Sequence, residues 1–538
     1  MKIFNINIIK NDKRCNESII IFIIIAIFYA LGNFVWWKLN TPVIPYNVDS
    51  LHFLDVFRSN LLYYNAPLIP YITKNLFFLY SKEYFDLIII FINYIFFLIG
   101  LYCIYKISFE ISSKKTGNIA MILFALVPAV YGLTRFYGRQ DYHVMIIMII
   151  NIYCLIKTDY FNDKKWSILY AISIGIGLMT KDVFIAYFFI PYIYIFRNSL
   201  KESINSKKIL NIFLIVIIAC LISCWHYFRY LILLKIFFEP ITEVSAGSLF
   251  YNIREITFGL SEELLSFPFF ILFLVGLIWY IIKYKNKYKF LLLVWLFVPW
   301  FIIFLMKHYK DSIFCIGLIP PMILISSIYL SNIKIIFLRR TLIVLFIIIG
   351  LFQYIEYSYS IDFGLSKIKL NYKNFHFMYF NKYANISNVN KKYVKTIQDL
   401  LIIIKKYYPS RIFISYNNNE IPIKFADFLS YMYLNDIFFS FDTVISWTDL
   451  STVDMIIYIG ENLPPTKQLD FYVKDIKEHP MASFDNIDIN HFSNEFIEMS
   501  NIRENIINEQ FYIVDEFFLG NDQDDKYKIK ILKKKRIL

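Results

Sequence analysis

The feature that most narrows the fold is a succession of apolar runs through the first two thirds of the chain, at 18–37, 86–107, 117–134, 142–156, 166–179, 183–196, 209–228, 265–282, 290–306, 313–330 and 342–354. A helix of about 20 apolar residues crosses the hydrocarbon core of a bilayer, where backbone polar groups must be bonded internally. The chain is therefore expected to be a multi-pass α-helical membrane protein with about 11 transmembrane helices. Its 58% hydrophobic content and mean hydropathy of +0.51 exclude a soluble domain of 538 residues. A formal charge of +13 would suit nucleic acid, but many of the Lys and Arg residues sit in short turns between apolar runs, where they determine topology. The aromatic content accompanies a general bias towards Ile, Lys, Asn, Tyr and Phe and is not read as a stacking surface.

Charge sets the orientation. Lys2, Lys10, Lys13 and Arg14 precede the first run, and no small-residue cleavage pattern follows it, so a retained first helix with a cytoplasmic N-terminus is expected. Trp36 and Trp37 then mark the far interface. Alternate turns hold Lys106/Lys114/Lys115, Lys157/Lys164/Lys165, Arg197/Lys201/Lys207/Lys208, Lys283/Lys285/Lys287/Lys289 and Lys334/Arg339/Arg340, which places them in the cytoplasm. Mixed-charge turns gather on the opposite, extracytoplasmic face, with the chain in the cell (inner) membrane. The runs 166–179 and 183–196 are short for full spans, so the Thr180-Lys181-Asp182 turn between them is expected below the surface, facing a polar cavity or other charges.

Two domains follow: residues 1–357 as the transmembrane module, with a first outer loop at 38–84, and residues 358–538 as an extracytoplasmic α/β domain. Within the second, 394–408 has helical periodicity, and 411–415, 455–459, 511–514 and 527–531 read as short buried strands. Asp522, Asp524 and Asp525 beside Gly520-Asn521 read as a solvated turn in preference to a metal site. The cysteines show neither a disulfide framework nor a zinc site. No cofactor is called for by the residues, no metal ligands are assigned, and a divalent metal is left open.

An acidic residue soon after the first helix, Asp49, is followed by the Asn65-Ala66-Pro67-Leu68 turn and by Gly138-Arg139-Gln140-Asp141. Gly177-Leu178-Met179-Thr180-Lys181 and then Lys307-His308-Tyr309 with Pro320-Pro321 complete the order. This series resembles the GT-C glycosyltransferases of the protein O-mannosyltransferase and lipid A aminoarabinose transferase superfamily, over residues 17–331. Ser50 stands where those proteins carry a second acid, and His308 where they carry Arg. The resemblance implies transfer of a sugar from a polyprenyl-phosphate carrier to a lipid, glycan or protein acceptor outside the cytoplasm, with inversion.

That chemistry needs a base for the acceptor proton and cations where negative charge grows on the leaving phosphate. Asp49 suits the base, and Asp141 suits an orienting carboxylate. Arg58, Lys74, Arg139, Lys181, Lys307, His308 and Lys310 are candidates for the phosphate. Each also has a structural reading. Asp49 precedes a helix-like spacing and is a fitting N-cap, Asp55 and Arg58 can pair along that helix, Lys307 and Lys310 can snorkel, and Lys181 and Asp182 can pair within the bundle. His52, His143 and His226 read as interface or core residues. The rival class is a polytopic transporter or flippase with the same loops as its vestibule, although no internal symmetry of the kind transporters show is visible.

Overall fold

The computed structural model describes residues 13–40, 72, 85–135, 140–181, 183–184, 187, 198, 206–237, 260–305, 312–359, 361, 363, 369–370, 375–376, 402, 406, 411–416, 440–442, 455–460, 511–518 and 528–535. The chain is a multi-pass helical membrane protein. Its helices are α1 (Lys13–Asn40), α2 (Phe85–Ile111), α3 (Lys114–Ala125), α4 (Pro128–Leu133), α5 (Gln140–Lys157), α6 (Lys164–Leu178) and α7 (Ser206–Phe237). After a π-helical turn at Leu260–Leu265 come α8 (Phe267–Lys283) and α9 (Lys289–Leu305), a 3-10 turn at Ser312–Leu318, α10 (Ile319–Asn332) and α11 (Ile336–Tyr359).

Among the described residues, five segments are long and apolar enough to cross a membrane: Glu17–Lys38, Leu87–Ile111, Ser206–Cys224, Cys315–Asn332 and Ile336–Tyr359. Of the other expected runs, 142–156, 265–282 and 290–306 are the helices α5, α8 and α9, 183–196 lies almost wholly outside the described residues, and two differ for local reasons. The run 117–134 is broken into α3 and α4 because Pro128 cannot continue a helix and holds Val127 extended, at φ −71° and ψ 128°. α6 has 15 residues, about 22 Å of rise, short of the bilayer core.

Burial sorts the helices into a centre and a rim. α5 is buried from Gln140 to Ile149 without interruption, and α10 from Ile319 to Ser327. Helices apolar on all sides belong inside a bundle. The rim helices turn apolar side chains outward: Ile20, Ile24, Ile27 and Leu31 on α1, and Phe91, Ile95, Ile99 and Tyr102 on α2, recur at three- and four-residue spacing and are exposed. In water such stripes would be costly, whereas against lipid they are the expected outer surface. With lipid outside, polar contacts and close approach hold the helices together. Asn151 Nδ2 donates to Ser173 Oγ at 2.9 Å between α5 and α6, and Tyr94 of α2 donates its hydroxyl to the Ala26 carbonyl of α1 at 2.8 Å.

Beyond α11 the described residues form strands β1 (Lys369–Leu370), β2 (Phe375–His376), β3 (Arg411–Tyr416), β4 (Ser440–Asp442), β5 (Met455–Gly460), β6 (Phe511–Phe518) and β7 (Lys528–Lys534). β1 and β2 pair antiparallel. The others form a mixed sheet in the order β4-β3-β5-β7-β6, with β3 parallel to β4 and β5, and β7 antiparallel to β5 and β6. The four runs read as strands from the sequence are β3, β5, β6 and β7, while the register shift between Ile513 and Asp515 was not legible. Of the run 394–408 only residues 402 and 406 are described, both helical, and the Asp522–Asp525 turn lies outside the described residues.

Candidate functional site

α5 opens at Gln140, so Asp141 sits in its first turn, where the positive end of the helix favours a carboxylate. α6 runs antiparallel beside it and ends at Leu178 in a tight turn. Thr180 N–H donates to Gly177 O at 3.0 Å, the Thr180 hydroxyl donates to Ile176 O at 2.8 Å, and Phe184 N–H donates to Lys181 O at 3.0 Å. This folding-back aims Lys181 at α5. Its ammonium donates to both carboxylate oxygens of Asp141, each at 2.8 Å. The Asp141 side chain is wholly buried, and that of Lys181 is 17% exposed. Two motifs 40 residues apart in sequence therefore meet as one ion pair.

Gly177 and Gly317 explain why the turn can lie so close. A Cβ at Gly177 would overlap the ring of Phe184, three residues past Lys181, and one at Gly317 would stand 2.5 Å from the ring of Tyr187. Tyr187 is buried within electrostatic reach of both Asp141 and Cys315. The 3-10 turn Ser312–Leu318 packs on α5. Behind it lies the π-helical turn, followed by Ser266 at φ 67°, a backbone region that costs a residue with a side chain about 1–3 kcal/mol. Gly177→Ala should displace the Phe184 ring and with it Lys181, costing about 1–3 kcal/mol by overpacking. Thermal unfolding in detergent checks the stability loss, and an unchanged melting point would mean that the turn absorbs the methyl group.

A second buried charge at this end of α5 escaped the sequence reading. Arg135, 1% exposed, follows α4 and donates from Nε to Asn33 Oδ1 of α1 at 2.8 Å and from Nη2 to Ser358 Oγ of α11 at 2.7 Å. Its guanidinium lies 4.9 Å from the ring centroid of Tyr357, 5.3 Å from Tyr354 and 5.8 Å from Trp36. Trp36 and Trp37, read as marking the far membrane interface of the first span, are both buried against protein, and the guanidinium holds Trp36 and the α11 tyrosines around it. The signal available was a lone Arg between Thr134 and Phe136 just after an apolar run.

Of the candidate site residues, Asp141 and Lys181 are brought together, and Asp49, Arg58, Lys74, Arg139, Lys307, His308 and Lys310 lie outside the described residues, as do His52, Asp55 and Asp182. His143 is buried, edge-on to Phe96 at 4.9 Å between ring centroids, and neither ring nitrogen has a partner among the described residues. Among the described residues no group of three or more His, Cys, Asp or Glu side chains could hold a metal ion.

Residues 64–228 match the family described as dolichyl-phosphate-mannose-protein mannosyltransferase. The matched segment contains both Asp141 and Lys181, and it agrees with the resemblance drawn from the motifs. A sequence search of curated proteins gave no match. Among solved structures, the fold is similar to ArnT from Cupriavidus metallidurans in the apo state (13% identity, 70% of this chain and 69% of that chain, TM-score 0.47). The same protein bound to undecaprenyl phosphate gives 12% identity, 76% and 75% coverage and a TM-score of 0.47. The Archaeoglobus fulgidus oligosaccharyltransferase tethered with an acceptor peptide containing the NVT sequon gives 10% identity, 82% and 68% coverage and a TM-score of 0.46.

Proposed function

We infer that the chain is an integral membrane glycosyltransferase of GT-C type that moves a sugar from a polyprenyl-phosphate donor to an acceptor. The observation that carries this reading is the family match over residues 64–228, within which the two candidate motifs described are joined as the buried Asp141–Lys181 pair. A membrane enzyme whose donor keeps its tail in lipid needs its polar chemistry at the end of a helix bundle, and the pair lies at the start of a central helix.

In the proposed reaction, Asp49 accepts the proton of the acceptor hydroxyl as its oxygen attacks the anomeric carbon. The bond from that carbon to the phosphate oxygen breaks, and the released polyprenyl phosphate takes the bonding electrons, with inversion at carbon. Negative charge grows on the phosphate, so cations preset around it lower the barrier. Arg58, Lys74, Arg139, Lys181, Lys307, His308 and Lys310 are proposed for that role. Asp141 holds the Lys181 ammonium by both oxygens, which fixes a flexible side chain before the donor arrives. Ser312 follows the segment holding Lys307, His308 and Lys310, and its turn packs on α5, which supports a shared site. We place this site, and a domain formed by 358–538, on the extracytoplasmic side, with an N-terminus in the cytoplasm and about 11 crossings of the inner membrane. The acceptor is a lipid, glycan or protein.

The test is incubation of the purified protein with a panel of polyprenyl-phosphate sugars. Release of free polyprenyl phosphate together with a glycosylated product is expected. Vesicles that carry the intact lipid or a solute across, with no product from any donor, would replace this reading with transport.

A further inference from the structure

We propose that the end of the bundle opposite Asp141 holds a binding face for anionic phospholipid headgroups, built by three turns that are far apart in sequence. It needs only the membrane reading and not the glycosyl-transfer one. From Asp141 to Lys157, α5 rises about 24 Å, and Lys157 there forms an ion pair with Glu110 at the end of α2. The α2–α3 turn at this end is tied to two others. The Tyr284 hydroxyl and Asn286 Nδ2 both donate to the Ile111 carbonyl at 2.8 Å, which brings in the α8–α9 turn. The Thr116 hydroxyl donates to Ser331 Oγ at 2.9 Å, which brings in the α10–α11 turn.

These three stretches, 111–116, 283–289 and 331–341, contain no acidic residue and present Lys115, Lys283, Lys285, Lys334, Arg339 and Arg340. The acids at this end belong to other elements: Glu110 pairs with Lys157, Asp163 accepts from Trp166 N–H as the cap of α6, and Glu17 of α1 adjoins Ser18, whose hydroxyl donates to Asn118. Asp159, in the α5–α6 turn, acts on Lys287. Burial first, then the neighbouring charges of Arg339 and Arg340, lowers the affinity of Lys115 for its proton.

Such clusters at a cytoplasmic end orient a chain during insertion, but a second observation points to a bound lipid. Between Lys334 and Arg339 stand Ile335, Ile336 and Phe337, 62%, 56% and 80% exposed. Apolar side chains this open beside cations suit the headgroup boundary, with the rings and branches among acyl chains and the cations against phosphate. A soluble phosphate ion would use the charges and leave these three residues in water. A phospholipid engages both.

Native mass spectrometry of the full chain, purified and offered equal phosphatidylglycerol and phosphatidylcholine, tests this. Wild type should retain phosphatidylglycerol preferentially. Each interfacial cation contributes about fivefold to affinity, so Lys115→Gln with Arg339→Gln and Arg340→Gln should weaken retention by on the order of a hundredfold. The charge-conserving Lys115→Arg, Arg339→Lys, Arg340→Lys variant should retain it. Should the neutral triple variant fail to fold, Arg340→Gln alone, on an exposed side chain, should cost about fivefold. Equal retention of the two lipids by wild type, unchanged retention in the neutral variants, or displacement of the lipid by inorganic phosphate would overturn the proposal.

Discussion

Asp141→Asn should lower turnover by about a hundredfold or more, and Lys181→Met by a similar factor, with the protein still inserted. Both effects follow from the pair's geometry. Lys181 reaches Asp141 from a folded-back turn, and replacing the carboxylate removes the charged acceptor that takes both of these hydrogen bonds from the ammonium. Losing one preset charge opposite a developing anion typically costs 10²–10³ in turnover, roughly 2.7–4 kcal/mol. Stability responds differently. Removing one member of a buried pair leaves the other charged and unpaired, at a cost of about 3–5 kcal/mol, whereas replacing both can be nearly neutral. The double variant Asp141→Asn, Lys181→Met should therefore regain most of its thermal stability while its activity stays as low as in either single variant. A double variant that recovered turnover along with stability would make the pair a structural tie within the bundle. Neither single variant can decide this alone, because each lowers stability and activity together.

How far the sequence foretold this arrangement depends on what kind of signal each element carries. Apolar runs are a strong signal because lipid forbids unpaired backbone, and α2, α8, α9 and α10 lie close to their expected positions. The joint at Val127-Pro128 was present in the sequence as a proline inside a run, yet the run's total length masked it. Asp141 and Lys181 were each legible as charges at the ends of apolar runs. That they form one pair was not, since nothing local says that α6 turns back at Thr180 towards the start of α5; Lys181 was equally compatible with a partner at Asp182. The Arg135 cluster shows the limit in another way. It needs Asn33 from α1, Ser358 from α11 and three aromatic rings, contacts spanning 102 and 223 residues that no periodicity predicts. Trp36 packs against a charge 99 residues away in sequence, a contact no local signal announces. β3, β5, β6 and β7 were legible because short β-branched and aromatic runs between polar stretches fit little else.

Asp49→Asn is the variant from which the largest loss of turnover is expected, between about a hundredfold and ten-thousandfold, the range general-base catalysis supplies. Asp49 lies outside the described residues, and its role is proposed from the sequence, so the variant must separate catalysis from helix capping. Asparagine caps a helix about as well as aspartate and nearly matches it in size, but it cannot accept a proton. Melting behaviour should therefore stay close to wild type while the rate collapses. Asp55→Asn, six residues on, removes a carboxylate of the same loop that can pair with Arg58 along a helix, and it should cost far less. The pH profile supplies an independent readout. With Asp49 as base, the wild-type rate falls on the acid side as the carboxylate takes up a proton, and that limb should vanish in Asp49→Asn, leaving a low rate that no longer depends on this ionisation. A variant as active as wild type, with its acid limb intact, would reduce Asp49 to a cap and move the search for the base to other acids, Asp55 first among them.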